Sequence, residues 1–116
     1  MSKVPRGEKL NMLMQDELGK IIDRTLEFPE GSLVTLTRVR TSSDLRYATV
    51  FFSLLNGDNA HVLEILEKNV YHIQQHLNKS LRMRPVPKIR FAIDEDEIRR
   101  EAVEQSLAKI KREGRI

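Results

Sequence analysis

Between Asn78 and Phe91 the sequence carries five basic residues, Lys79, Arg82, Arg84, Lys88 and Arg90, and no acidic one. Phosphate rewards such a cluster, because each neutralised phosphate releases a condensed counterion and an arginine guanidinium offers a planar fork to two oxygens. A charged face that only keeps a protein in solution has the same composition, so the run alone points to nucleic acid modestly. Two features strengthen the reading: the run bridges the end of one element and the start of the next, and Pro85 and Pro87 stiffen the join. Arg38, Arg40 and Arg46 are candidates to extend the surface, with Lys3, Arg6 and Lys9 near the N-terminus. Only Tyr47 and Tyr71 supplement four phenylalanines that mostly pattern as core. Stacking groups are therefore scarce, which favours contact with the backbone and shape of a folded RNA over stacked single strands.

Other chemistries find little support. With no cysteine there is no thiolate nucleophile, disulfide scaffold or Cys-ligated zinc. His72 and His76 stand one helical turn apart but lack a carboxylate at ligand spacing, so no metal is expected. Asp94-Glu95-Asp96-Glu97 lacks the glycine and spacing of a calcium loop, and instead suits a helix start, with Asp94 and Glu97 spaced as a capping box. No Gly-rich phosphate loop, nucleophile elbow or acid/base dyad is present. A binding protein without cofactors is expected, not an enzyme. Neither a signal-peptide core nor an apolar run of ~20 residues occurs, so a cytoplasmic protein without membrane contact is expected.

The elements that must position these residues follow from periodicity. At 116 residues, 40% hydrophobic and 32% charged, the chain suits one folded domain with a charged exterior. From Glu8 to Thr25, Leu10, Leu13, Met14, Leu18, Ile21 and Ile22 fall on one side of a helix. Gly19 within it marks either a close packing contact or a weak point. Leu33 to Thr41 reads as a strand whose alternation slips between Leu36 and Val39, which predicts a bulge or strong twist. After the Ser42-Ser43-Asp44 turn, Leu45 to Leu54 reads as a second strand, antiparallel to the first. Asn56-Gly57-Asp58-Asn59 supplies an N-cap for a second helix, in which Leu63, Leu66, Val70, Ile73, Leu77 and Leu81 keep helical spacing. Ile89, Phe91 and Ile93 alternate with Lys88, Arg90 and Ala92 in a third strand, apolar on one face and basic on the other. The order α-β-β-α-β describes an α+β domain with two helices on one face of a three-stranded sheet. A final helix to about Glu113 follows, with a thin seam of Ile98, Ala102, Val103, Leu107 and Ile110 and basic residues at its end. It either docks on the body or moves freely.

Two stretches, Ser43-Asp44-Leu45-Arg46-Tyr47-Ala48-Thr49-Val50 and Leu81-Arg82-Met83-Arg84-Pro85-Val86-Pro87-Lys88-Ile89-Arg90-Phe91, resemble bacterial ribosome-binding factor A, and the similarity extends over roughly residues 6–98. The resemblance implies a type II KH-like RNA-binding domain over residues 1–95, with residues 96–116 as a C-terminal helical extension. It also implies a factor that binds the immature small (30S) subunit and its 16S rRNA late in assembly. Such factors assist 5′-end processing and folding near the decoding centre, support growth in the cold, and leave before translation. Family members usually carry Ala-x-Gly in the second helix, where glycine permits a kink. Here Asn69-Val70-Tyr71 stands instead, and the unbroken apolar spacing from Leu63 to Leu81 favours a continuous helix. The leading expectation is a monomeric, non-catalytic RNA chaperone. Its rival is a protein-interaction module that reaches ribosomes through ribosomal proteins or an assembly GTPase, with the tail helix as ligand.

Overall fold

The chain runs α1 (Arg6–Thr25), β1 (Leu33–Thr41), β2 (Tyr47–Leu55), α2 (Asn59–Lys68), α3 (Val70–Ser80), β3 (Lys88–Ile93) and α4 (Glu95–Arg112) in a computed structural model that describes residues 6–112. The side chains of residues 6, 97, 98, 101, 105 and 108–112 fall outside the description, as does all of residues 1–5 and 113–116. Expectations that rested on Lys3, Arg6, the Glu97 cap, Ile98, Ile110 and the helix end at Glu113 fall there too.

The α+β arrangement is the expected one. β1 and β2 pair antiparallel from Leu33↔Leu55 to Thr41↔Ala48, and β2 pairs parallel with β3 from Tyr47↔Lys88 to Phe52↔Ile93, so β2 is the central strand. A parallel pair needs a long crossover, which α2 and α3 supply. The slip in β1 is a β-bulge: the register shifts between Leu36 and Arg38, leaving Thr37 as the extra residue. Because side chains alternate with period two, that residue reverses the parity of the strand. Val34 and Leu36 face the core before it and Val39 after it, while Arg38 and Arg40 turn to the opposite face.

The hairpin turn shortens β2 relative to expectation. Leu45 adopts φ 60°, its N–H donates to the Ser42 carbonyl at 2.9 Å, and pairing begins only at Tyr47. Asp44 Oδ1 accepts from the Ser42 hydroxyl at 2.6 Å and the Arg46 amide at 3.1 Å. Those bonds, the Ser42 hydroxyl foremost, lower the Asp44 pKa below the ordinary carboxylate value.

One face of the sheet builds the core. Val39, Ala48, Val50, Phe52, Ile89 and Phe91 pack with Met14, Leu18, Ile21 and Ile22 of α1, Val62 and Leu66 of α2, Ile73 and Leu77 of α3, and Leu81. Leu13, expected on the buried stripe, is 48% exposed because it lies about 100° around the helix from Met14. Gly19 is not a close contact: a Cβ there would meet nothing within 4 Å. Gly19→Ala is therefore expected to stabilise the fold by about 0.5–1 kcal/mol, through helix propensity alone, as read by chemical denaturation. A destabilised variant would count against this account.

The second helix is not continuous. α2 ends at Lys68, Asn69 takes φ −105° and ψ 4°, and α3 begins at Val70. The Asn69 amide donates to the Leu66 carbonyl at 3.2 Å, and its side-chain Nδ2 donates to the Ile65 carbonyl at 2.7 Å. An asparagine that bonds backbone through its side chain offers an alternative to the helical ladder, and here it ends one helix and starts the next. The apolar spacing survives because both segments face the same core. Periodicity reports faces, not backbone continuity.

Candidate nucleic-acid interface

The face of the sheet opposite α1, α2 and α3 gathers four of the eight expected RNA-binding residues. Strand register places Arg40, Thr49 and Arg90 in one row, Arg38, Phe51 and Ala92 in the next, and Tyr47 beside Lys88. Arg40, Lys88 and Arg90 are exposed. Arg90 Nε donates to Thr49 Oγ1 at 3.0 Å, which ties the guanidinium to the neighbouring strand β2. The Arg38 guanidinium carbon lies 4.2 Å from the Phe51 ring centroid, a cation–π contact. Arg38 also faces Asp94, at 3.7 Å from Nε, and Asp96, at 3.5 Å from Nη2, so it is the least free of the four.

Lys79, Arg82 and Arg84 occupy the end of α3 and the loop beyond. Lys79 and Arg82 are exposed. Arg84 has a second duty, since its Nη1 donates to the Leu81 carbonyl at 2.7 Å and the Met83 carbonyl at 2.6 Å, closing the loop where α3 ends. Lys88 joins the two groups: it lines an open depression with Gln74, Asn78 and Arg84, and its amide donates to the Arg46 carbonyl at 2.9 Å. Arg46 pairs with Asp44 at 3.8 Å in full solvent, an interaction worth little that leaves it available. The candidates thus form a bent surface, from the α3 end over Lys88 onto the open sheet.

What fixes this bend was not anticipated. Gln74 on α3 donates from Nε2 to the Pro87 carbonyl at 3.1 Å and accepts at Oε1 from the Ile89 amide at 2.9 Å. One side chain thereby clamps the helix to the first residues of β3. Buried Asp94 was also read only as a cap, yet its Oδ2 accepts from the hydroxyl of the bulge residue Thr37 at 2.5 Å. Phe51 was read as core, although its parity with Tyr47 and Thr49 in β2 carried the signal for the open face.

The kink-motif residues lie apart from the sheet face. Asn69 makes the break and Val70 is half buried, while Tyr71 is 68% exposed with His72 edge-on to it at 5.8 Å between centroids. His76 is exposed. Among the described residues no three His, Cys, Asp or Glu side chains converge as a metal site, and no helix is long and apolar enough to cross a membrane.

The family model described as ribosome-binding factor A matches residues 6–107. The ribosome-binding factor A of Pseudomonas paraeruginosa is 34% identical over 118 residues, covering 94% of this chain and 91% of its own. The chain belongs to the ribosome-binding factor A family. Its fold is that of ribosome-binding factor A from Thermus thermophilus, whose crystal structure aligns with a TM-score of 0.68 at 24% identity over 75% of this chain and 93% of that one. A second Thermus thermophilus ribosome-binding factor A structure, a homology model fitted into a cryo-electron-microscopy map of its 30S complex, aligns with a TM-score of 0.62 at 24% identity, over 71% of this chain and 88% of that one. The α+β fold expected from the sequence, a three-stranded sheet with helices packed on it, is therefore shared with that crystal structure.

Proposed function

We propose that this chain binds the immature 30S subunit in the cytoplasm, contacting 16S rRNA through Lys79, Arg82, Arg84, Lys88, Arg90, Arg38, Arg40 and Arg46. In this reading it acts as a monomeric, non-catalytic chaperone of late maturation, including 5′-end processing and growth in the cold. The supporting observation is the bent basic surface from the end of α3 to the open sheet face, in a chain whose relatives are named for ribosome binding. The fold fixes the backbone of Arg90 and Lys88 in register with β2 and ties the Arg90 side chain to Thr49, so less ordering is left for phosphate binding. A factor of this kind changes an RNA equilibrium only by binding one arrangement better than another.

Co-sedimentation with purified immature and mature small subunits across a range of salt concentrations tests the reading. The wild type should favour immature subunits and lose affinity steeply with salt. Arg82→Ala/Lys88→Ala, which spares the loop-closing Arg84, should bind more weakly and lower the log–log salt slope by about two. Salt-insensitive binding, untouched by that double change but lost on deleting residues 95–116, would overturn it in favour of a protein contact through α4. That helix leaves Val103 and Leu107 exposed.

A further inference from the structure

The open face of the sheet carries more than charge. Tyr47, 56% exposed, stands at one end of β2, and Phe51, half buried beneath the Arg38 guanidinium, stands four residues on, with Thr49 between them. Successive positions of one face in a strand are separated by two residues, so the two stations lie about 13 Å apart. Arg40 and Arg90 flank the space between them, and Lys88 sits beside Tyr47. An ordinary solvated sheet face alternates polar groups without this arrangement of rings and guanidiniums.

We infer that this face binds single-stranded RNA, with one unpaired base stacking on Tyr47 and a second on the Arg38–Phe51 pair while Arg40, Lys88 and Arg90 take the phosphates. The inference rests on the RNA-binding reading above and names the class of RNA recognised on this part of the surface. Three features on the face argue for this occupant. The cations call for a polyanion. The exposed tyrosine ring and the ring-backed guanidinium both offer a π surface on which a base can stack, a mode of recognition used for unpaired bases and closed to a duplex, whose bases are already stacked. The 13 Å spacing, roughly four times the stacking distance within a strand, suits bases splayed apart rather than stacked on each other. An acidic peptide would satisfy the charge but leave the two stacking surfaces without a matching partner. The sparse count of aromatics in the sequence argues for shape recognition alone; register shows that two of the few share the face opposite α1, α2 and α3.

The test is fluorescence anisotropy with a labelled, unstructured RNA of about ten nucleotides, a length within the usual site size, used alone and annealed to its complement. Tyr47 is exposed, so its variants should fold, which circular dichroism checks. Tyr47→Ala should weaken single-strand binding about tenfold and leave duplex binding unchanged, whereas Tyr47→Phe, which keeps the ring, should bind like the wild type. The inference is overturned if Tyr47→Ala binds the single strand as the wild type does, if single strand and duplex weaken alike, or if Tyr47→Phe loses as much as alanine. It is also overturned if neither RNA form binds while Tyr47→Ala still detaches the protein from subunits, since the face would then meet a ribosomal protein. Salt-dependent sedimentation with immature subunits, if kept alongside any of these failures, leaves the broader RNA-binding reading standing. Its absence in the wild type would remove both.

Discussion

Asp94→Ala is expected to lower the free energy of unfolding by about 2–3 kcal/mol, because it strips two groups of their partner at the point where β1 changes parity. The Asp94 side chain is 7% exposed and accepts from the Thr37 hydroxyl at 2.5 Å, while Arg38 Nε, itself shielded from solvent, lies 3.7 Å away. Alanine leaves that hydroxyl without its acceptor and the shielded end of the guanidinium without its nearest counter-charge. The cost stays below that of a fully buried pair, since the Arg38 side chain is 40% exposed and solvent screens its outer end. Asp94→Asn keeps an acceptor for Thr37 and gives up only the charge, so about half the loss is expected. Urea titration of the three proteins checks the order. An alanine variant as stable as the wild type would show that the bulge holds without this contact. The consequence reaches the surface as well, because the bulge puts Arg38 and Arg40 on the open face and Val39 in the core. Reading the strand back by one residue would exchange them.

Much of this was legible in the sequence, for reasons that particular residues make plain. The strand pattern was local: Ile89, Phe91 and Ile93 alternate with Lys88, Arg90 and Ala92, and burial follows that alternation through Phe91, after which Ala92 and Ile93 are both half buried. The slip between Leu36 and Val39 was equally local, and it is the bulge. The break at Asn69 was hidden because hydrophobic spacing records which side of a helix is buried. Two short helices lying on the same sheet keep that spacing across a one-residue interruption. The aromatic stations were hidden differently. Phe51 and Phe52 are adjacent in the chain but face opposite sides of the sheet, and a count of phenylalanines assigns both to the core. The clamp by Gln74 and the bulge contact of Asp94 could not be read, since each acts on residues distant in sequence, Gln74 on Pro87 and Ile89 and Asp94 on Thr37. A polar residue in a helix or at a strand end looks like surface until the fold brings it against a backbone or a bulge.

Gln74→Leu should cost about 2–3 kcal/mol of stability and, more tellingly, weaken RNA binding without altering its salt dependence. The amide of Gln74 meets the Pro87 carbonyl and the Ile89 amide at once, and Nε2 also donates to Asn78 Oδ1 at 3.0 Å. Leucine fills much of the same volume but answers neither backbone group, each of which is then left to find water at the mouth of the depression lined by Asn78, Arg84 and Lys88. The basic side chains all remain, so the number of phosphates they can neutralise is unchanged and so is the log–log slope of affinity against salt. What is lost is their mutual placement: Lys79 rides on the end of α3 and Arg82 just beyond it, Lys88 and Arg90 on β3, and Gln74 hydrogen-bonds these two supports together beside their shared core. A charge-deleting change such as Arg82→Ala/Lys88→Ala lowers both affinity and slope. A loss of affinity by about fivefold at constant slope in Gln74→Leu separates preorganisation from charge. A fallen slope, or unchanged affinity in a folded variant, would mean that the cations act independently and that the rigid junction contributes nothing to recognition.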